Sequence, residues 1–261
     1  MSELALNARV VGALGMRSVR QTLRRPQLVS PILIFPTLLL AVQTGGAGSA
    51  VDLPAFPEVN GFLDFMIAGA MIQATLLAGN SGGIALAVDL EMGFTDRLFS
   101  APISRFAIVL GRLAGTAVLG AFSALWFIAI ALVFGVQFEE GIPGAALMVL
   151  FVTLAAVAFG ALSAAIALYT GQASVVQGLF PLVFVILFLS SAFFPAELML
   201  EPASSVAEYN PLSFIVTGVR DQVIGGFDFA VFAETVGAIA LIGAISIALS
   251  AVALRRRLRV G

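Results

Sequence analysis

Apolar runs long enough to cross a lipid bilayer recur along almost the whole sequence. Six of them span approximately residues 28–44, 61–88, 106–136, 144–169, 175–194 and 232–254. A hydrocarbon layer of about 30 Å needs about 20 predominantly apolar residues in a helix. Because 60% of the residues are hydrophobic and only 11% are charged, the polar side chains cannot cover a water-facing surface. We therefore predict an all-α membrane protein with six transmembrane helices, forming a single domain over residues 1–261.

The distribution of arginine predicts how these spans are oriented. The sequence contains no lysine, and positive side chains concentrate in cytoplasmic loops and termini. A cytoplasmic N-terminus would place every arginine except Arg220 on the inner side, while the predicted outer loops hold mostly carboxylates. Both termini are therefore expected in the cytoplasm. The inner arginines are Arg9, Arg17, Arg20, Arg24, Arg25, Arg97, Arg105, Arg112, Arg255, Arg256, Arg257 and Arg259.

Residues 1–26 predict an amphipathic helix that precedes the first span. Four arginines recur on one side of this helix, and Val11, Leu14 and Val19 lie largely opposite them. Such a helix would lie on the inner leaflet of the membrane. A basic segment that only orients the first span is the alternative. No Ala-x-Ala cleavage site follows the first apolar run cleanly, so we expect this segment to be retained.

The loop at residues 89–105 is polar but carries apolar side chains at helical spacing. Phe94, Leu98 and Phe99 predict a short amphipathic helix, which needs an apolar partner for its buried face. Gly93 allows a bend before this helix, and Pro102 ends it. The alternative is a solvated loop whose charges only mark the topology.

The long connection at residues 195–230 is expected to form an outer hairpin. Asn210 is a good helix N-cap, Pro211 suits the first helical position, and the glycines at 225–226 can end the helix. A helix from 211 to 224 is too short to span, and Arg220 would place a charge at depth if it did. We expect a re-entrant half-helix, with a helix lying flat at the outer interface as the alternative.

Two sets of span residues are candidates for contact with cargo. Polar side chains in lipid are expected to face partners or a cavity, and the second span carries Gln73, Asn80 and Ser81. The fifth span carries a phenylalanine stripe, which is more often packed core or lipid-facing surface than a path: Phe180, Phe184, Phe188 and, near its outer end, Phe194.

Several activities are argued against by missing residue types. A Walker A phosphate loop requires lysine, so ATP hydrolysis is expected in a separate polypeptide and this chain is expected to be non-catalytic. Without His or Cys, the commonest ligands for a metal site are missing. A proton-coupled carrier would want an acidic residue deep in a span, whereas Asp64 and Glu234 lie near predicted span ends.

The loop and the hairpin together resemble the ABC type-2 transporter permeases, in particular the daunorubicin-resistance subgroup. Residues 89–105 fill every fixed position of the family pattern acidic-x-Glu-x-Gly-x-x-acidic-Arg-Leu-x-Ser-x-Pro-x-Ser-Arg. A second match covers 188–195, then 208–212 and Arg220. The resemblance covers nearly the whole chain in span number, loop order and motif position. The Gly93-Phe94 pair departs from members that carry Gly-Thr there.

This resemblance implies a membrane subunit of an ATP-driven exporter in a plasma membrane, with the bacterial inner membrane as the expectation. In the family the loop is a coupling helix that docks on the ATPase. The implied coupling residues are Glu91, Gly93, Phe94, Asp96, Arg97, Leu98, Phe99, Pro102 and Arg105. The second and fifth spans border the path in the family, which favours the seven candidate cargo residues. The implied partners are two ATPase subunits, which bind ATP and Mg, and a second permease.

The cargo class is expected from the aromatic residues of the chain. One tryptophan and two tyrosines against 22 phenylalanines leave few amphipathic rings for stacking on sugars. A drug-like or lipid-like cargo is therefore favoured over a polysaccharide or glycolipid. No nucleic-acid partner is expected. The sequence leaves open whether the two permeases are identical, and an ion- or proton-coupled transporter remains the rival class.

Cysteine labelling tests the predicted orientation, because the chain has no native cysteine. Single cysteines at Ser2 and Arg259 should react with a membrane-impermeant maleimide only from the cytoplasmic side, and a cysteine at Glu139 only from outside. Labelling of either terminus from outside in intact cells would overturn the orientation.

Overall fold

The computed structural model describes residues 3–24, 26–54, 56–93 and 105–260, and every regular element in these ranges is a helix. The elements are α1 (Glu3–Leu23), α2 (Pro26–Ala47), α3 (Phe62–Glu91), α4 (Arg105–Val133), α5 (Gly141–Thr170), α6 (Ala173–Gly178), α7 (Phe180–Phe188), α8 (Ala203–Tyr209), α9 (Pro211–Ile224) and α10 (Phe229–Val260). Short 3₁₀ turns cover Gly48–Asp52 and Ala196–Leu198. The predicted all-α class is confirmed.

Five helices of the described chain are long and apolar enough to cross a membrane: Val29–Asp52, Phe62–Glu91, Leu110–Val133, Gly141–Thr170 and Phe229–Arg256. They cover five of the six predicted spans. The predicted fifth span, 175–194, instead forms the two short helices α6 and α7, followed by turns. Their combined length is below that of a spanning helix, so six crossings remain a prediction.

The long helices place opposite charges at the two ends of the bundle. The end where α1, the start of α4 and the end of α10 carry their arginines is called the arginine end. The opposite end, where α3, α5 and α10 begin, is called the acidic end, because its connections carry Glu58, Glu139, Glu197 and Asp228. This separation agrees with the arginine pattern of the sequence, although it does not show which end faces the cytoplasm.

Helix α3 lies at the centre of the bundle and packs against α2, α4, α5, α6 and α9. It is apolar around its whole circumference, as expected for a helix surrounded by others. Three glycines bring neighbouring backbones close. A methyl group added at Gly83 would lie 2.4 Å from Ser163 Cβ, one at Gly79 2.8 Å from Phe159 Cβ, and one at Gly69 2.4 Å from the Ala192 carbonyl oxygen.

Small residues also bring α4 against α1 and α5. Gly111 faces Leu14, and Gly115 faces Ser18, so α1 packs on the first turns of α4. Further along α4, Gly120 faces Ala156 on α5. The sequence patterns Gly111-x-x-x-Gly115 and Ala156-x-x-x-Gly160, which are common in any Gly-rich span, therefore mark real helix contacts here.

The predicted amphipathic helix is present as α1, and it is not isolated on a surface. Its exposed side carries Arg17, Arg20 and Arg24, while Gly15 is buried against α4. The hydroxyl of Ser18 donates a hydrogen bond to the Arg112 carbonyl oxygen at 3.1 Å. The periodicity of the sequence predicted the polar and apolar faces of α1, but it did not predict that the apolar face packs on α4.

We predict that Gly83→Ala destabilises the bundle, because its new methyl group would collide with both the side chain and the backbone of Ser163. Overpacking of this kind costs about 1–3 kcal/mol. The matched control is Gly237→Ala on α10, where nothing lies within 4 Å and the better helix propensity of alanine should be neutral or slightly stabilising. Thermal unfolding in detergent measures both, and equal melting temperatures would contradict the prediction.

Candidate functional site: the arginine end of the central helix

The described part of the predicted coupling loop is its beginning, where α3 stops. Gly93 adopts a left-handed φ of 67°, and its N–H donates to the Leu90 carbonyl oxygen at 3.0 Å. Glycine is the residue that reaches this conformation without strain, so Gly93 lets the chain bend directly after α3, where the sequence predicted a bend. Of the other predicted coupling residues, Glu91 is described and Arg105 begins α4. The remaining six lie outside the described residues: Phe94, Asp96, Arg97, Leu98, Phe99 and Pro102.

A buried ionic cluster lies directly before this loop. Asp89, only 1% exposed, accepts a hydrogen bond from Arg112 Nη2, and Arg17 Nη1 lies 3.7 Å from the same carboxylate oxygen. The cluster joins the end of α3 to α4 and α1. A buried carboxylate is stable only with such partners, and guanidinium groups keep their charge in proteins.

Sequence reasoning assigned Asp89 to the polar loop and Arg112 to the cytoplasmic boundary, and it missed their pairing. The available signal was a carboxylate directly before the loop and an arginine shortly after it. Both stand on apolar helices, where an unpaired charge would be costly. The third member, Arg17, carried no sequence signal, because the contact of α1 with α4 is decided by packing.

Glu91 connects the same end of α3 to α6. Its Oε1 atom accepts a hydrogen bond from the Ala173 backbone N–H at 2.8 Å, at the first residue of α6. Glu91 is exposed, so this bond competes with water. The base of the loop is therefore attached to two different parts of the bundle. Asp89 attaches it to α1 and α4, and Glu91 attaches it to α6.

The polar residues proposed for the path have different environments in the structure. Gln73 is fully buried in α3, and neither atom of its amide is hydrogen-bonded to a residue that the structure describes. Asn80 is half-buried, and the Ser81 hydroxyl donates to the Ala78 carbonyl oxygen of its own helix. Gln73 thus lies inside one subunit rather than on a surface that a second subunit could cover.

The predicted phenylalanine stripe forms part of an aromatic row. Phe184 lies 5.8 Å from Phe35 of α2 and 6.4 Å from Phe188, whose ring lies 4.8 Å from that of buried Phe193, measured between centroids. Phe188 is 48% exposed, so this row reaches the bundle surface where α2 and α7 meet. Phe194 is also exposed, and the side chain of Phe180 lies outside the described residues.

At the acidic end, the predicted helix 211–224 is confirmed as α9, with Asn210 as its N-cap. The Asn210 Oδ1 atom accepts from the Leu212 N–H at 3.0 Å. Its Nδ2 group donates to the carbonyl oxygens of Ile186 at 2.8 Å and Leu189 at 3.1 Å. One asparagine thus starts α9 and also binds the carbonyl groups left free at the end of α7. Pro211 occupies the first helical position.

Arg220 is the second residue, after Asn210, whose side chain holds this hairpin in place, and it is 8% exposed. Its Nε atom donates to the Phe65 carbonyl oxygen at 3.2 Å, and Nη2 donates to those of Ser191 at 2.8 Å and Ala192 at 3.1 Å. The guanidinium carbon lies 3.7 Å from the centre of the Phe65 ring, at cation–π distance. Arg220 therefore ties α9 to the beginning of α3 and to the turn after α7.

Comparison with known proteins identifies the class of this helical bundle. Residues 9–224 match the family model for ABC-2 type transporters, which is most of the chain. The chain belongs to the ABC-2 type transporter family. The match includes α1, the ionic cluster, the loop and α9. The chain is thus a membrane permease subunit of an ABC transporter, and membership implies association with ABC ATPase subunits.

Individual relatives of this ABC-2 permease are distant. The putative transport permease ycf38 of Porphyra purpurea is 27% identical over 212 residues, covering 80% of this chain and 72% of the relative. The probable doxorubicin resistance ABC transporter permease protein DrrC of Mycobacterium tuberculosis is 23% identical over 153 residues. That match covers 57% of this chain and 55% of the relative.

We predict that Arg112→Met destabilises the permease by about 3–5 kcal/mol, because it leaves the Asp89 carboxylate buried with only Arg17 nearby. The double variant Asp89→Leu, Arg112→Met should regain much of that loss, because it removes both charges together. Arg20→Met, an exposed arginine of α1, is the control. A double variant less stable than Arg112→Met would contradict the ionic cluster as the cause.

Proposed function

We propose that this permease subunit works in an ATP-driven exporter of hydrophobic or amphiphilic compounds, powered by separate ATPase subunits. One relative is named as a probable doxorubicin resistance permease, which supports export of such compounds. The low content of tryptophan and tyrosine supports a drug-like or lipid-like cargo over a sugar polymer. ATP and Mg would be bound by the partner ATPase and not by this chain.

The proposed topology has six crossings with both termini in the cytoplasm. The arginine end then faces the ATPase, and α6 with α7 and the following turns supplies the fifth crossing. Helix α9 is proposed as a re-entrant half-helix, because it packs against α3, α5 and α10 and buries Ile215, Val216 and Val219. A helix lying flat on the surface would bury a single stripe against fewer neighbours.

The observation that carries the proposal is the double attachment of the coupling loop at the end of α3. The Asp89 cluster attaches it to α1 and α4, and the Glu91 hydrogen bond attaches it to the start of α6. A displacement of the loop would therefore be passed to α6 and, through it, to α7. Dimerisation of the two ATPases would supply the displacement, and the spans would alternate between inward and outward access.

The export path and the second permease are proposed to lie on the side of the bundle that carries the aromatic row, where α2 meets α7. It contains the exposed parts of Phe35 and Phe188 and lies next to the helix that Glu91 anchors. Asn80, Ser81, Phe180, Phe184 and Phe194 keep their proposed role in the path. Gln73, which faces the interior, would reach cargo only in a conformation where α3 separates from its neighbours.

The decisive test is the double variant Phe94→Ala, Arg97→Glu in the proposed coupling helix. Removing an aromatic anchor from an interface often costs about 2 kcal/mol or more, which weakens docking by at least about tenfold. We expect a correctly inserted permease that fails to co-purify with its ABC ATPase, or ATP hydrolysis that no longer drives export.

The control pair for this test is Phe229→Ala, Arg20→Glu, which removes an exposed ring at the acidic end and reverses an exposed arginine on α1. It should assemble and export normally. Normal assembly and export by the Phe94→Ala, Arg97→Glu variant would show that this segment is not the coupling helix.

A further inference from the structure

A cavity of about 320 Å³ lies at the acidic end, between the start of α3, the turn after α7, α9 and α10. Cavities that bind small groups have volumes of about this size or larger. Its wall includes Phe65 in the first turn of α3 and Glu234 in the second turn of α10. Both helices are long and apolar enough to cross a membrane and begin at this end of the bundle, so in that placement the cavity would lie where lipid headgroups meet the hydrocarbon layer.

The deepest charged group of this cavity is Arg220, which still has hydrogen-bonding capacity. A guanidinium has five N–H donors. The Nε and Nη2 atoms bind carbonyl oxygens, while Nη1 makes no hydrogen bond to any residue that the structure describes. Nor does any described carboxylate oxygen lie within 4.0 Å of its nitrogens. The hydrogen-bond partners of Arg220 in the described residues are therefore all neutral carbonyl groups, and the negative charge of Glu197 acts on it only from a longer distance. A buried arginine of this kind is a favourable place for an anionic group.

A second, independent feature of the same wall is the hydroxyl group of Ser191. Its Oγ atom is almost completely buried and has no hydrogen-bond partner among the described residues, although the Ser191 N–H donates to the Ser213 hydroxyl oxygen. Buried polar atoms are nearly always hydrogen-bonded, so an orphan hydroxyl beside spare guanidinium donors indicates a missing acceptor. The exposed residue Thr217 adds another hydroxyl to this wall.

The rim of the cavity has the opposite charge. Glu197, Glu208 and Glu234 line it, and all three are exposed. They would repel a free anion but attract an ammonium group that is bonded close to the anion. Charge complementarity therefore favours a zwitterion, with its negative group inside and its positive group outside.

We propose that this cavity binds the headgroup of a zwitterionic phospholipid. The phosphate would accept hydrogen bonds from Arg220 Nη1 and the Ser191 hydroxyl, and the ammonium group would lie among the three glutamates. The position at headgroup depth favours a membrane lipid over a soluble phosphate ester. The site is separate from the proposed coupling loop and aromatic row, so it does not depend on export.

Native mass spectrometry of the delipidated, purified subunit tests this site, with phosphatidylethanolamine as the probe and phosphatidic acid, which lacks the ammonium group, as comparison. Phosphatidylethanolamine should bind more tightly. The variant Ser191→Ala should weaken its binding about three- to tenfold, as expected for loss of one hydrogen bond to phosphate. It should unfold no more easily, because the lost hydroxyl has no partner in the protein.

The matched control is Ser246→Ala on α10, another buried hydroxyl without a partner among the described residues, which does not line the cavity. It should bind like the wild type. The double variant Glu208→Gln, Glu234→Gln tests the role of the negative rim. It should reduce the preference for phosphatidylethanolamine over phosphatidic acid at least severalfold.

Three outcomes would overturn the proposal. They are equal lipid binding by the Ser191→Ala and Ser246→Ala variants, an unchanged lipid preference in the double glutamine variant, and competition by soluble phosphoethanolamine as strong as by the lipid. The last outcome would assign the cavity to a soluble ligand. If export stays normal while any of these outcomes is observed, the lipid-binding proposal fails and the export proposal is unaffected.

Discussion

Close contact between small residues is the constraint on which the rest of the bundle depends. Within a bilayer, apolar side chains gain little by leaving lipid for protein, so helices associate through tight packing and hydrogen bonds. Helix α3 meets this requirement at Gly69, Gly79 and Gly83, where a single methyl group would overlap a neighbouring helix or turn. Its central place brings the neighbouring helices onto one backbone and fixes where both ends of α3 lie.

Polar contacts then specify the two ends of that central helix. At the arginine end, Asp89 gathers Arg112 and Arg17 from two other helices. At the acidic end, Arg220 reaches the Phe65 carbonyl oxygen near the start of α3 and two carbonyl oxygens of the turn after α7. Isolated charges are costly at membrane depth, so each of these groups holds its partners in one geometry. The packed centre and the polar ends thus make α3 a rigid connection between the two faces.

This arrangement fits the proposed role of the chain as a permease subunit that is coupled to separate ATPase subunits. The loop that is proposed to meet the ATPase begins where α3 ends, and Glu91 links that point to the short helix α6. Helices α6 and α7 are short and are separated at Leu179, so they can shift with less cost than a continuous span. Force on the loop would therefore act on the side of the bundle that bears the aromatic row.

The sequence by itself determined the helical class, five of the spans, the helix from Pro211 to Ile224 with its asparagine cap, and the bend at Gly93 after α3. These features follow from local rules: apolar length, capping chemistry and backbone freedom. Only the tertiary structure decided that the predicted fifth span is two short helices, that Asp89 pairs with Arg112, and that Gln73 faces the interior. Such contacts join residues distant in the chain, and their free energies depend on packing that no local pattern encodes.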